Sequence, residues 1–409
     1  MKTRIYFLFI LLLLFPVACG EEEVFDLSAS EPDQRETSLS DSDETLESDV
    51  ITNTPIPIID KSDDASAQLD DYMMQMVEDD TIPGAAIVVV SGDEVLFING
   101  YGFRDIEANL PVTDETLFHI GSVNKSFTGL LVATLVDDGI LAWDSRAIDI
   151  YPDFALTDQT SAETVTIRHL LSMRSGIPDW AEDDLDLDEV TADDIILWVA
   201  SAELDGEPGE QFSYSNVSSS IAGYLGVIAS TGSDEDVYDG YVKLLTEHVL
   251  RPIGMQTARV NVSDLLDNPN YGKSYILSNG EPVEADPADY DGDPLAPSGI
   301  IKANIREMGL YVQTQLNEGV APSGERVVSA ENITETWQPY LNDYGMGWEN
   351  HNIGGVDIIM HEGAYDNYLS VAGFAPEQDL GFVILINSED AGGNLLDNAP
   401  SKIIELFAE

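Results

Sequence analysis

The stretch Phe118-His119-Ile120-Gly121-Ser122-Val123-Asn124-Lys125 decides how this 409-residue chain is read. It opens a segment of helical periodicity over residues 122 to 138, apolar at Phe127, Leu130, Leu131 and Leu135. A three-residue offset puts Ser122 and Lys125 on one helix face, about one turn apart. A serine hydroxyl is a poor nucleophile at neutral pH, and a buried, hydrogen-bonded lysine beside it lowers the cost of losing its proton. The helix amino terminus favours negative charge and leaves the Ser122 backbone N–H to face an oxyanion. Taken alone, Ser122-Val123-Asn124-Lys125 reads more readily as a capping serine beside a solvated lysine.

Two more clusters change that balance. Tyr214 sits in Phe212-Ser213-Tyr214-Ser215-Asn216, after the turn-like Gly206-Glu207-Pro208-Gly209. A tyrosine near Ser122 acts as a general base if a cation depresses its pKa, and Lys125 is the candidate cation. Asn216 is a candidate to orient Lys125 and to hold a substrate carbonyl or amide. The third cluster, His361-Glu362-Gly363, ends a strand-like run. Gly363 would let an edge strand approach a substrate backbone, and the Ala364 N–H would supply a second oxyanion donor.

Competing chemistries are absent. There is no Gly-x-Ser-x-Gly elbow, and His361-Glu362 is followed by Gly363-Ala364-Tyr365 instead of a zinc-binding spacing. Five scattered histidines do not suggest a metal cluster. Asp289-Tyr290-Asp291-Gly292-Asp293 has its glycine out of place for a calcium loop and lacks the bidentate glutamate. No cofactor and no metal are expected.

Outward from these motifs, Leu69, Met73, Met76 and Val77 fit one face of a short helix. Ala85 to Val90 and Val95 to Ile98 read as strands joined by Ser91-Gly92-Asp93-Glu94, and residues 165 to 250 look mainly helical. Strand-like runs return at Val356 to Met360, Tyr368 to Phe374 and Leu380 to Ile386, and a last helix fits Asn394 to Phe407. One antiparallel sheet drawn from both ends of the chain, with a helical insertion beside it, is the economical arrangement.

The amino terminus reads differently. Lys2 and Arg4 precede an apolar stretch from Ile5 to Ala18, of signal-peptide length and too short for a comfortable span. It ends Pro16-Val17-Ala18-Cys19-Gly20, resembling a bacterial lipoprotein signal in which Cys19 is lipidated, although Pro16 stands where an aliphatic residue is usual. Plain secretion is the alternative. Residues 20 to 66 are acidic and rich in Ser, Thr and Pro, as an extended tether requires. The expected organisation is a signal at 1–19, a linker at 20–66 and a catalytic domain at 67–409, exported and lipid-anchored outside the cytoplasm.

Composition bounds the rest. Hydrophobic residues make up 44%, enough for a sizeable core. Asp plus Glu total 76 against 17 Lys plus Arg, for a net charge of −59, which repels nucleic acid and anionic headgroups. A single cysteine excludes an internal disulfide. Nothing in the sequence fixes the oligomeric state.

In this order the three clusters resemble the serine β-lactamase-related superfamily: class C β-lactamases, DD-carboxypeptidases and related esterases and D-amino-acid peptidases. Pro83-Gly84-Ala85-Ala86, Gly100-Tyr101-Gly102, Pro111-Val112-Thr113, Ile167 to Ser172, Ser175-Gly176-Ile177-Pro178 and Gly345-Met346-Gly347-Trp348 extend the resemblance over residues 67 to 408. It implies an α/β (α+β) sandwich, an antiparallel sheet flanked by helices with an inserted all-α subdomain and the site between them. It further implies that Ser122 forms an acyl-enzyme, that Lys125 and Tyr214 activate it, that Asn216, His361 and Gly363 meet substrate, and that the Ser122 and Ala364 N–H groups hold the oxyanion. A small-molecule or peptide ester or amide is the expected substrate. One departure bears on that choice. A Glu362 side chain facing the site would repel a substrate carboxylate and disfavour a β-lactam, whereas one facing the other way would decide nothing. A true β-lactamase and a catalytically silent binding domain remain the alternatives.

Overall fold

The computed structural model describes residues 64–178, 190–232, 236–260, 268–285 and 294–408. The signal, Cys19, most of the linker, the acidic run Glu182 to Asp186 and the Asp289–Asp293 stretch lie outside the described residues. Within them, no helix is long and apolar enough to cross a membrane.

Gly84–Val90 (β1), Tyr368–Ala375 (β10) and Leu380–Ile386 (β11) are buried along their whole length. Near-continuous apolar sequence is what a strand covered on both faces requires. They form the centre of a seven-stranded antiparallel sheet with Val95–Asp105 (β2), Leu110–Pro111 (β3), Glu349–Ile353 (β8) and Val356–Tyr365 (β9), in the order β3-β2-β1-β11-β10-β9-β8. Both chain ends supply it, as expected. Two short pairs complete the strands: Leu117–His119 (β4) with Lys302–Asn304 (β7), and Tyr275–Ser278 (β5) with Glu281–Glu284 (β6).

Strand parity sorts the core into two layers. Ala85, Ile87 and Val89 pack with Leu69, Met73, Leu395 and Ile403 of the helices Asp64–Asp79 and Glu389–Phe407. Ala86, Val88 and Val90 face the larger core, which contains the helices Asn124–Asp137, Asn216–Thr231 and Ile305–Leu316. The first of these is buried from Asn124 to Leu135, so its apolar character runs around the helix instead of along one stripe.

Four boundaries differ from the sequence reading. Ser122 lies in a 3₁₀ turn, Gly121–Val123, and the α-helix begins at Asn124. β2 runs on to Asp105 and β9 to Tyr365, and the last helix starts at Glu389 and carries Pro400 inside it. β8 had no counterpart in the reading. The 165–250 region is helical at Ile167–Leu171, Ala192–Trp198, Asn216–Thr231 and Val237–Leu245.

Candidate active site

Ser122 is half-buried at the mouth of the 3₁₀ turn, while Lys125 is 1% exposed. One helical turn separates them, and Lys125 Nζ donates to Ser122 Oγ at 2.9 Å. The ammonium also donates to the Ser298 carbonyl at 3.1 Å and lies 4.8 Å from the centre of the Tyr214 ring. The Lys125 ammonium thus lies between Ser122 Oγ and the Tyr214 ring. A buried ammonium needs such partners, because desolvation otherwise disfavours its charge.

Ser298 reaches Lys125 because Asn124 clamps its segment. Asn124 Nδ2 donates to the Pro297 carbonyl at 3.0 Å, its Oδ1 accepts from the Ile301 N–H at 3.0 Å, and Thr128 Oγ1 donates to Pro297 at 2.6 Å. The sequence offered no signal for Ser298, since a backbone carbonyl does the holding. Tyr214 is fixed from both sides. The Ser213 N–H donates to the Met173 carbonyl at 2.9 Å, and Ser215 caps the helix Asn216–Thr231 by accepting from the Ser218 N–H. Asn216, half-buried in the first turn, makes no side-chain hydrogen bond to the described residues, so Ser298 takes the orienting part expected of it.

The opposite wall is the free end of β9. β8 pairs with β9 only from Val356 to Met360, which leaves His361–Tyr365 as an edge. Gly363 touches the nucleophile turn so closely that a Cβ there would lie 2.2 Å from the Ile120 oxygen and 2.9 Å from the Ser122 nitrogen. Gly121, at φ +49°, approaches Ala364 in return, its Cβ position 2.6 Å from the Ala364 nitrogen. The Ser122 and Ala364 amides are therefore brought to one wall. Ser370 Oγ ties the turn to the sheet by donating to the Ile120 carbonyl at 2.7 Å.

His361 and Glu362 depart from simple expectation. His361 pairs with Ala372 and Gly363 with Ser370, on the nucleophile side, whereas Glu362 pairs with Val371, which belongs to the layer under the terminal helices. Glu362 is exposed on that far face, its carboxyl raised by desolvation and by Glu349 and Asp397. Its side chain faces away from the Ser122 side of the sheet. His361 is 3% exposed and holds no open nitrogen: Nδ1 donates to the Glu362 carbonyl at 2.5 Å, and Nε2 lies 3.2 Å from the Tyr344 hydroxyl. Burial lowers its pKa to about 4, with Lys125 pushing the same way and Glu349 opposing. Both ring nitrogens of His361 are thus engaged by protein groups. Tyr344 was not singled out in the sequence.

A pH effect on stability follows. The unfolded chain protonates His361 near 6.5, while the folded chain does so only near 4, so unfolding takes up protons in between. Stability is expected to fall as pH drops from about 6.5 towards 4. Buried His119, also held well below its ordinary value by burial and then by Lys302, adds to the slope, and His351, raised by its bond to Glu349, opposes it. Urea unfolding at pH 7 and pH 5 should show a flatter slope for His361→Gln; an equal slope would remove His361 as a source.

Among the described residues, no group of three or more His, Cys, Asp or Glu could hold a metal ion. The constellation can activate a hydroxyl beside a buried cation and receive an oxyanion at two backbone amides.

Comparison with known proteins places the chain in a family. The family described as Beta-lactamase matches residues 69–403. Protein flp of Staphylococcus aureus (strain MW2) is 27% identical over 329 residues, 80% of this chain and 64% of that protein. Unguisins hydrolase ungD' of Aspergillus campestris (strain IBT 28561) is 26% identical over 349 residues, again 80% of this chain and 63% of that one. The chain thus spans somewhat less than two thirds of these relatives. The octameric penicillin-binding protein homologue from Pyrococcus abyssi has the same fold, with a TM-score of 0.70 at 24% identity over 83% of this chain and 77% of that one. With the motifs, the sheet and the site on one footing, the chain belongs to the β-lactamase family, within the serine β-lactamase and penicillin-binding protein superfamily.

Proposed function

We propose that the protein is an exported serine hydrolase, tethered to a membrane by a lipid on Cys19, that cleaves an ester or amide through an acyl-enzyme on Ser122. The 2.9 Å bond from the Lys125 ammonium to Ser122 Oγ, beneath the Tyr214 ring, carries the reading. Tyr214, acting as the phenolate that the neighbouring Lys125 ammonium favours, takes the hydroxyl proton as Ser122 Oγ bonds to the substrate carbonyl carbon. The tetrahedral oxyanion is met by the Ser122 and Ala364 N–H groups. Return of the proton to the leaving oxygen or nitrogen frees the first product. Water then attacks the acyl-enzyme by the same route reversed. Asn216, whose amide makes no hydrogen bond among the described residues, holds the substrate's own carbonyl or amide.

An ester or a peptide-like amide is preferred over a β-lactam, although no longer because of Glu362. The imidazole at position 361 of β9 is buried and uncharged, so that position offers a substrate carboxylate no cation. The Aspergillus relative is named a hydrolase, in keeping with a hydrolytic reaction here.

Labelling with a fluorophosphonate and a fluorescent penicillin, followed by mass mapping, tests the nucleophile. Turnover of p-nitrophenyl esters, D-alanyl peptides and nitrocefin ranks the substrates, with nitrocefin expected last. No adduct on Ser122 with any probe would favour a silent binding domain. Retention of a Cys19→Ser form in the membrane fraction would remove the lipid anchor.

A further inference from the structure

Tyr344 belongs to no motif that carries the family resemblance, yet it sits at the junction of the site. It is 1% exposed. Its ring stands edge-on to Tyr214, centres 6.0 Å apart at 87°, and edge-on to His361, 5.8 Å apart at 81°. Phe212, two residues before Tyr214, packs on it at 5.6 Å.

The hydrogen bonds around His361 have a fixed direction. A carbonyl oxygen only accepts, so the Glu362 carbonyl requires the proton on His361 Nδ1. Nε2 is then an acceptor, and the Tyr344 hydroxyl must donate to it. The phenol is protonated, because burial raises its pKa well above the usual value, with Tyr214 and Glu349 adding to that. The rest of the segment is clamped. The Tyr340 N–H donates to the Tyr344 carbonyl at 2.9 Å and the Met346 N–H to the Thr336 carbonyl at 2.8 Å. Gly347, at φ +91°, lies against the Lys125 backbone, with its Cβ position 2.6 Å from the Lys125 oxygen. A side chain there would force the segment off the catalytic helix.

We infer that Tyr344 is a positioning residue for acyl transfer: its hydroxyl, donating to Nε2, holds the neutral His361 ring in the tautomer that the Glu362 carbonyl sets, and its ring, packed at right angles, holds Tyr214 over the Lys125 ammonium. The inference rests on the proposed role of Tyr214. Without the hydroxyl, Nε2 becomes a buried acceptor with no donor among the described residues. It then takes up a proton or the ring turns. The charged groups facing it are Glu349, which favours the proton, and Lys125 and His351, which oppose it. Tyr214 and the Glu362 carbonyl complete its surroundings. A protonated His361 would place a second cation beside Lys125 and disturb the arrangement that activates Ser122.

Tyr344→Phe keeps the ring and removes only the donor. Small displacements of reacting groups cost up to about 100-fold, so kcat on a p-nitrophenyl ester should fall about 10- to 100-fold with KM within about twofold. The acid limb of kcat/KM should move to higher pH. In protein labelled with ¹⁵N-histidine, His361 should show Nδ1–H and bare Nε2 in the wild type, with its signal assigned from His361→Gln. Tyr344→Phe should change that signature. The double variant Tyr344→Phe/His361→Gln should be no slower than His361→Gln alone, a non-additivity that a merely structural tyrosine would not give. Additive losses, or a Tyr344→Phe enzyme with the wild-type kcat, pH limb and tautomer, would overturn the inference. Should Tyr344→Phe fail to fold, the wild-type tautomer decides by itself: a proton on Nε2 is incompatible with the lock. If Ser122 is not the nucleophile, the wild type gives no adduct in the first place, which separates that failure from this one.

Discussion

Ser122→Ala is expected to remove turnover, with kcat/KM down by about 10⁴- to 10⁶-fold, and to leave no acyl adduct with any probe. Lys125→Met should fall nearly as far, and the two losses should not multiply, because the pair acts as one unit through the 2.9 Å bond. The second variant also separates catalysis from folding. Lys125 is 1% exposed, and keeping an ammonium in that environment is costly even with the Ser122 and Ser298 oxygens beside it. Methionine has nearly the same shape and no charge to desolvate. Lys125→Met should therefore melt at the same temperature as the wild type or higher while being inactive, the pattern of a residue kept for chemistry at the expense of stability. Calorimetry beside ester turnover reads both. A variant that is destabilised and still active would assign Lys125 to the core, and the acyl-enzyme proposal would lose its basis.

That pair was readable from sequence because an offset of three residues on a helix is geometry written into the chain. The central strands were readable for a similar reason: β1, β10 and β11 are covered on both faces, so their sequences are apolar without interruption. β8 gave no such signal. Glu349-Asn350-His351-Asn352-Ile353 is an outer strand with no fully buried residue, and it is polar on both faces. The far half of β9 was missed because its residues serve the cleft and the far face instead of the core. The side of Glu362 could not be known until the strand was seen to continue through it, since parity then decides the matter. Ser298 acts through its backbone, and Tyr344 acts through one hydroxyl on a residue 17 positions away, so neither left a mark in the pattern. The partners of His361, the Glu362 carbonyl and the Tyr344 hydroxyl, could not be read from the chain either, because hydrogen-bond partners, unlike helix faces, are set by tertiary contact.

Gly363→Ala tests the other half of the chemistry. The added methyl would lie 2.2 Å from the Ile120 oxygen, 2.6 Å from Ser370 Oγ and 2.9 Å from the Ser122 nitrogen. None of these is the far end of a flexible chain, and the Ser370 hydroxyl is already bonded to the Ile120 carbonyl. The edge of β9 must therefore move away from the turn, carrying the Ala364 N–H with it. Losing one oxyanion donor costs about 10²- to 10³-fold in kcat, and overpacking costs about 1–3 kcal/mol of stability. The expected result is a folded enzyme with kcat reduced by that factor and KM little changed, since the donor acts on the charge that develops in the transition state and not on bound substrate. Ala364→Gly is the matching control: its side chain is exposed, its N–H is retained, and activity should stay within a few-fold of wild type. Because Ser122, Lys125 and Tyr214 are untouched in both variants, the contrast isolates the oxyanion site from nucleophile activation. A Gly363→Ala enzyme with full kcat would mean that the β9 edge does not stabilise the tetrahedral intermediate, and the two amides at this wall would have to be given another role.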